Sequence, residues 1–248
     1  MPRALIVVPC FNEEHRLDLD AFRRFRLEGV DVEFLFVNDG STDGTLRLLQ
    51  TFVSEDASRF RLLDLEKNSG KAEAVRRGIV EAIALRPDFT GFWDADLATP
   101  LAELRGFFDI FEARPSVAMI FAARVRLLGR SISRRASRHY VGRVGATLIS
   151  SSLGLAVYDT QCGAKLFRVS GDLAHVFEKP FLSRWIFDVE IIARFVQLWG
   201  RDAAARSIYE FPITQWHDVK GSKVKSQDFV RALRDLWKIH RAYNAKKR

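Results

Sequence analysis

The sequence predicts an α/β fold: a mostly parallel sheet flanked by helices. Three observations predict it. Short β-branched or aromatic runs recur through the first 115 residues, each run ends in a polar cluster, and helical apolar spacing fills the intervals. A β-α-β rhythm of this kind builds a parallel sheet covered on both faces. The ligand crevice of such a sheet lies at the carboxyl ends of its strands, where the polar clusters fall.

Ala4–Val8 is an apolar run stopped by Pro9, as in a buried parallel strand. Leu17–Leu27 has helical spacing with Phe22 and Phe25 inward. Val32–Val37 is a second strand, ending at Asn38-Asp39-Gly40-Ser41, and the next helix carries Leu46, Leu49, Phe52 and Val53. Phe60–Leu65 is a third strand, and Asn68-Ser69-Gly70-Lys71 opens a helix from Ala72 to Ala84. Thr90–Trp93 is a fourth strand that delivers Asp94 and Asp96. Pro100 opens a helix with Leu101, Leu104, Phe107, Phe108 and Phe111 on one face. Beyond it, Ala118–Ala123 and Lys165–Val169 read as strands. A basic stretch, Arg124–Arg143, precedes a helix up to about Tyr158, and Ile186–Leu198 reads as an apolar helix.

Lys and Arg number 39 against 31 Asp and Glu, a formal charge of +8. That excess suits phosphorylated ligands, an anionic membrane surface or nucleic acid. Its crowding into particular segments favours the first two. Cys10 and Cys162 lie far apart and define no disulfide framework. Val144–Tyr158 is uncharged but rich in Ser and Gly, and shorter than the roughly 20 apolar residues of a spanning helix. The expectation is a cytoplasmic chain without a transmembrane helix.

Asp94 and Asp96 place two hard anionic side chains directly after a strand, a donor set for a divalent cation facing a diphosphate. Pro9, Phe11 and Glu13 form a turn that brackets a nucleobase and ribose, or else a helix entry with acidic first-turn residues. Asn38 and Asp39 accept from a base or ribose, or else cap a turn. Lys71 adds a point charge at a helix start, although no Walker A pattern surrounds it.

In order, Val8-Pro9-x-Phe11-Asn12-Glu13-Glu14, Val37-Asn38-Asp39-Gly40-Ser41-x-Asp43-Gly44-Thr45, Lys67-Asn68-x-Gly70-Lys71-x-x-Ala74 and Asp94-Ala95-Asp96 resemble the family-2 glycosyltransferases with the Rossmann-like GT-A fold. The resemblance implies that Pro9, Phe11, Glu13, Asn38, Asp39, Lys71, Asp94 and Ala95 hold the nucleotide. It also implies that Asp94 and Asp96 hold Mg²⁺ or Mn²⁺. Asp159-Thr160-Gln161-Cys162-Gly163-Ala164-Lys165-Leu166-Phe167 is similar to the subgroup that glucosylates dolichyl or polyprenyl phosphate, which implies UDP-glucose as donor. Arg124, Arg134 and Arg138 match basic positions that bind the acceptor phosphate in that subgroup. Two departures stand out, Ala164 in place of an aromatic residue and Asn38 in place of Asp, and the membrane anchor of the eukaryotic enzymes is expected to be missing.

The expected organisation is one domain, with a nucleotide-binding half at about 1–115, an acceptor-binding half at about 116–228 and a basic amphipathic segment at 229–248. The expected reaction is inverting hexosyl transfer to polyprenyl phosphate. The acceptor is already anionic near neutral pH and requires no side-chain base. An alternative is transfer to a hydroxyl of a soluble or glycan acceptor, with Asp188 as general base. With the phosphate acceptor, Asp188 and Glu190 orient the arginines or bind sugar hydroxyls. Ser222 and Lys223 form a loop over the diphosphate, or a plain surface turn. A third reading, a basic nucleic-acid-binding module, lacks a helix-turn-helix, a zinc signature and interleaved aromatic platforms. In the C-terminal segment Phe229, Leu233, Leu236, Trp237 and Tyr243 lie near one stripe beside Arg231, Arg234, Lys238 and Arg241. Such a helix lies in an anionic bilayer interface, at the inner face of the membrane, or packs onto the domain.

Overall fold

The computed structural model of the chain describes residues 1–132, 136–217 and 226–244, with the side chains of 136–143, 226–230 and 244 left aside. Its elements run β1 Arg3–Cys10, α1 Leu19–Arg24, β2 Asp31–Asp39, α2 Thr45–Glu55, β3 Phe60–Leu65, α3 Lys71–Ala84 and β4 Phe89–Trp93. There follow α4 Leu104–Ala113, β5 Met119–Ala123, β6 Ser131–Ile132, α5 Ala136–Leu153, β7 Ala164–Arg168 and α6 Gly171–Glu178. The last are α7 Phe187–Trp199, α8 Arg201–Ser207, β8 Ile208–Pro212, β9 Gln215–Trp216 and α9 Ser226–Ile239. A π-helical turn, His240–Asn244, ends the described chain. The segments form two compact units: Met1–Leu97 with Gly163–Pro180, and Ala98–Cys162 with Phe181–Arg248.

In the first unit the strands lie in the order β3-β2-β1-β4-β7. β1, β2, β3 and β4 are parallel, and β7 runs antiparallel to β4. β1 is buried from Ala4 to Val8 and β2 from Val32 to Asp39, so both read as continuous apolar runs rather than alternating ones. Phe22 of α1 meets Phe34 and Phe36 of β2 edge-on at 5.1 Å, and Phe52 of α2 stands over Phe36 at 5.7 Å. All four rings are essentially inaccessible. α1 is shorter than its apolar spacing predicts. Asp18 caps its start through the Ala21 N–H, and the backbone is already extended at Phe25.

In the second unit β5 pairs with β8 and β6 with β9, both in parallel. α7 is buried from Phe187 to Val196, including Glu190 and Arg194. Glu190 accepts from Arg194 Nη2 at 2.7 Å, from the Leu182 N–H at 2.7 Å and from the Tyr243 hydroxyl at 2.8 Å. Arg194 also lies over the Phe181 ring at 4.5 Å. Burial, reinforced by the Glu190 charge and its hydrogen bond, raises the Tyr243 pKa, so the phenol remains a donor. This buried pair ties α7 to the end of the chain. Removing either partner strands a charge in the interior.

Among the described residues no helix is long and apolar enough to cross a membrane.

Phe36→Ala opens a cavity among four rings and should lower unfolding stability by about 3–5 kcal/mol in urea titrations. A loss below about 1 kcal/mol would show that the cluster does not carry this part of the core.

Candidate active site

In the first unit the loops after β1 and β2 are stitched into one hydrogen-bonded body. Asn12 adopts φ 55° and donates its N–H to Ser41 Oγ at 3.1 Å, while its side-chain oxygen accepts from the Thr42 N–H at 2.8 Å. The Glu13 N–H reaches Thr45 Oγ1 at 2.8 Å, and the Glu14 carboxylate takes the Gly44 N–H at 2.8 Å. Burial pushes the Asp43 carboxyl up, but the Thr45 hydroxyl and N–H and the Glu14 N–H outweigh it and hold the group below its usual range. Pro9 and Phe11 are half-buried on this edge. Burial first, then the Glu13 charge, pushes the Cys10 thiol far up, so it carries no thiolate chemistry.

Asn38 and Asp39 are both 2% exposed. Asn38 donates to Asp64 Oδ1 at 2.7 Å. Asp39 accepts the Ser69 N–H at 2.7 Å and the Gly70 N–H at 2.8 Å. The anion attracted to the start of α3 is therefore the chain's own Asp39, which holds the Lys67–Gly70 loop in place. Gly40, at φ 62°, lets the two loops meet, since a Cβ there would overlap the Asn68 N.

Lys71 begins α3, and its ammonium lies against Asp94 Oδ1. Oδ1 is buried and accepts no hydrogen bond. The contact is thus one of charge, with the two side chains 43% and 32% exposed. The Asp94 N–H donates to the Gly163 carbonyl at 2.8 Å, and its own carbonyl accepts the Leu97 N–H at 3.2 Å across a turn in which Leu97 adopts φ 50°. Asp96 is half-buried within this turn and Ala95 is buried. Gly163 lies flat against the Asp94 carboxylate, where any side chain would overlap both of its oxygens. A hard-oxygen donor whose Oδ1 faces an ammonium, beside a second carboxylate, fits a divalent cation completed by diphosphate oxygens and water. Among the described residues no group of three or more protein ligands gathers, so Asp94 and Asp96 alone do not make a closed cage.

The second unit holds Arg124 and Asp188. Arg124 grips Asp159 through Nε at 2.6 Å and Nη2 at 2.7 Å, with its guanidinium 5.2 Å from the Trp216 ring centroid. Glu210 accepts the N–H groups of Tyr158 at 2.8 Å and Asp159 at 2.6 Å, fixing this loop. Tyr158 and Glu210 line a cleft of about 620 Å³ with Thr147, Ser150 and Leu155 of α5 and its exit. Asp188 sits in the first turn of α7 and is 6% exposed. Glu190 orients Arg194 rather than Arg124. Arg134, Ser222 and Lys223 lie outside the described residues, and Arg138 is placed only as part of the α5 backbone.

The profile of "Glycosyl transferase family 2" matches residues 5–173. The chain belongs to this family. A dolichyl-phosphate beta-glucosyltransferase of Saccharomyces cerevisiae is 30% identical across 96% of the chain and 74% of the relative. The enzyme of that name from Homo sapiens is 29% identical across 88% of the chain and 68% of the relative. Among solved structures, glucosyl-3-phosphoglycerate synthase from Mycobacterium tuberculosis, in complex with Mn²⁺, UDP-glucose and phosphoglyceric acid, superposes with a TM-score of 0.67. It is 16% identical and covers 96% of this chain and 79% of that one. The fold is GT-A, and the chain is a glycosyltransferase.

For a family 2 glycosyltransferase, sequence reasoning located the strand-end clusters but missed what braces them. Asp159 as the partner of Arg124 and Glu210 as the anchor of its loop had no local signal, being 35 and 86 residues from Arg124. Gly163 as the platform for Asp94 was legible only as part of a longer motif.

Gly163→Ala should drive the Asp94 carboxylate from its position and lower transfer by more than about tenfold, with the melting temperature nearly unchanged. Full activity of the variant would remove Gly163 from the site. Asp39→Ala frees two backbone donors and should cost about 2–4 kcal/mol in unfolding titrations.

Proposed function

We propose that this glycosyltransferase moves glucose from UDP-glucose onto a polyprenyl or dolichyl phosphate, with inversion and with Mg²⁺ or Mn²⁺. The observation that carries the reading is Asp94: a carboxylate at the end of β4, backed by Gly163 and neutralised by Lys71. Asp94 and Asp96 would hold the cation, which supplies positive charge against the charge that grows on the leaving diphosphate. Lys71 adds a second positive charge at the same place. Asp39 keeps the loop before α3 from shifting, and the joined loops carrying Pro9, Phe11 and Glu13 form the nucleotide edge. A phosphate monoester acceptor carries its own nucleophilic oxygen, so Asp188 has no proton to remove. Arg124 supplies a guanidinium already oriented by Asp159, and the acceptor phosphate competes with that carboxylate for the fork. The subgroup motif Asp159–Phe167 supports glucose as the sugar, as do relatives named for glucosyl transfer to dolichyl phosphate. Ser222 and Lys223 would cover the diphosphate. A lipid acceptor places the enzyme at the cytoplasmic membrane face as a peripheral protein.

The test is a panel of UDP-glucose, GDP-mannose and UDP-N-acetylglucosamine with a short-chain polyprenyl phosphate, with and without Mn²⁺ or Mg²⁺. The expected product is a β-linked glucosyl phosphate, formed from UDP-glucose only when metal is present. Asp94→Asn should lower the rate by more than about 100-fold, whereas Asp188→Asn retains turnover. Transfer to a hydroxyl acceptor that is abolished by Asp188→Asn, with the phosphate left unglycosylated, would overturn the reading.

A further inference from the structure

The second unit carries an apolar surface that the reaction does not use. Leu127, Leu128, Val144, Leu148, Leu182, Trp185, Leu198, Leu233 and Trp237 are all at least 40% exposed, while the first unit has only Met1 and Val80 in this class among the described residues. The C-terminal helix explains part of the pattern. Ile239 is fully buried and Tyr243 reaches Glu190, so one edge of α9 and its π-helical turn packs inward. Leu233 and Trp237, one turn apart, face out at 40% and 60% exposure. The stripe seen in the sequence is therefore two stripes, one packed and one bare.

Beside the bare stripe is a concavity of about 340 Å³, where Arg231, Arg234 and Lys238 of α9 meet Arg184, Trp185 and Leu182. Asp235, the acid at this place, accepts from the buried Ser183 hydroxyl at 2.9 Å, which holds α9 against the 182–186 turn. The Trp185 and Ile186 N–H groups donate to the same hydroxyl at 3.2 and 3.0 Å, so the exposed indole is carried on a fixed turn. Arg241 lies 5.5 Å from the Trp237 ring centroid, which keeps a cation beside the exposed ring. Indoles flanked by guanidinium and ammonium groups suit the level of lipid headgroups, where rings enter the acyl boundary and cations meet phosphates.

We propose that Trp185, Leu233 and Trp237, with Arg184, Arg231, Arg234 and Lys238, dock the protein on an anionic phospholipid bilayer. This deepens the proposed function, since it rests on a lipid-borne acceptor and names the surface that meets the lipid. The complementarity is of charge: four cations surround one acid, and although Asp235 pairs with Lys238 at 3.5 Å and lies 3.9 Å from Arg234, the rim keeps an excess of positive charge.

Flotation of the full chain with vesicles of phosphatidylcholine alone, or with phosphatidylglycerol added, tests it. The expected result is binding only to the anionic vesicles. Arg234→Glu with Lys238→Glu should reduce it by more than about tenfold, and Trp237→Ser should weaken it on its own. Circular dichroism checks that the variants fold. Transfer to a short-chain, water-soluble polyprenyl phosphate without vesicles should match the parent, because these residues lie outside the catalytic set. Flotation of the variants equal to that of the parent overturns the docking surface. So does displacement of the parent by millimolar inorganic phosphate, which would mark a free-ion site. A parent that dimerises through this face without floating also overturns it. A parent that floats but transfers nothing to phosphate would instead contradict the proposed function and leave the surface standing.

Discussion

A backbone hydrogen bond of 2.8 Å from the Asp94 N–H to the Gly163 carbonyl joins the end of β4 to the start of β7. It continues the antiparallel ladder in which Trp93 faces Ala164 and Phe92 faces Lys165. Because Gly163 has no side chain, the Asp94 carboxylate lies directly on that backbone. The position of the Asp94 carboxylate is thus set by strand pairing rather than by a side-chain contact that rotates away. Rigid elements place reacting groups more precisely than loops do, and a small misplacement costs rate steeply.

Around this point charge is balanced locally. Lys71 answers Asp94, Asp39 is answered by two backbone N–H groups, and Arg124 by Asp159. Each carboxylate buried near the strand ends has a donor or a cation, as burial in low dielectric requires. Asp94 differs in being answered by the ammonium of a lysine whose side chain is 43% exposed rather than by backbone donors. In the second unit the same economy appears in Glu190, which draws together Arg194, Tyr243 and the backbone at Leu182.

Much of the fold was legible because buried parallel strands announce themselves. Val32–Val37 and Thr90–Trp93 were found to within two residues by apolar runs closed by polar residues. The direction of β7 was not legible, since an apolar run carries no sign of parallel or antiparallel pairing. α1 ended early because Phe25 turns away to extended backbone, which its apolar spacing does not reveal. The strand-end clusters were visible, but not their division of labour. Asn38 and Asp39 are buried and brace loops, while Asp94 and Lys71 meet at the rim. Side-chain type announces polarity, whereas only the folded register decides which polar groups are satisfied internally and which remain for a ligand.

On the proposed reading, Asp94 is held for a cation that accompanies a diphosphate. Titrating Mn²⁺ into the protein with and without UDP, and following the free-ion signal by electron paramagnetic resonance, tests it most directly. The account predicts stoichiometric, UDP-dependent loss of free Mn²⁺ that disappears in Asp94→Asn. Uptake of Mn²⁺ that is the same in that variant, or indifferent to UDP, would contradict it.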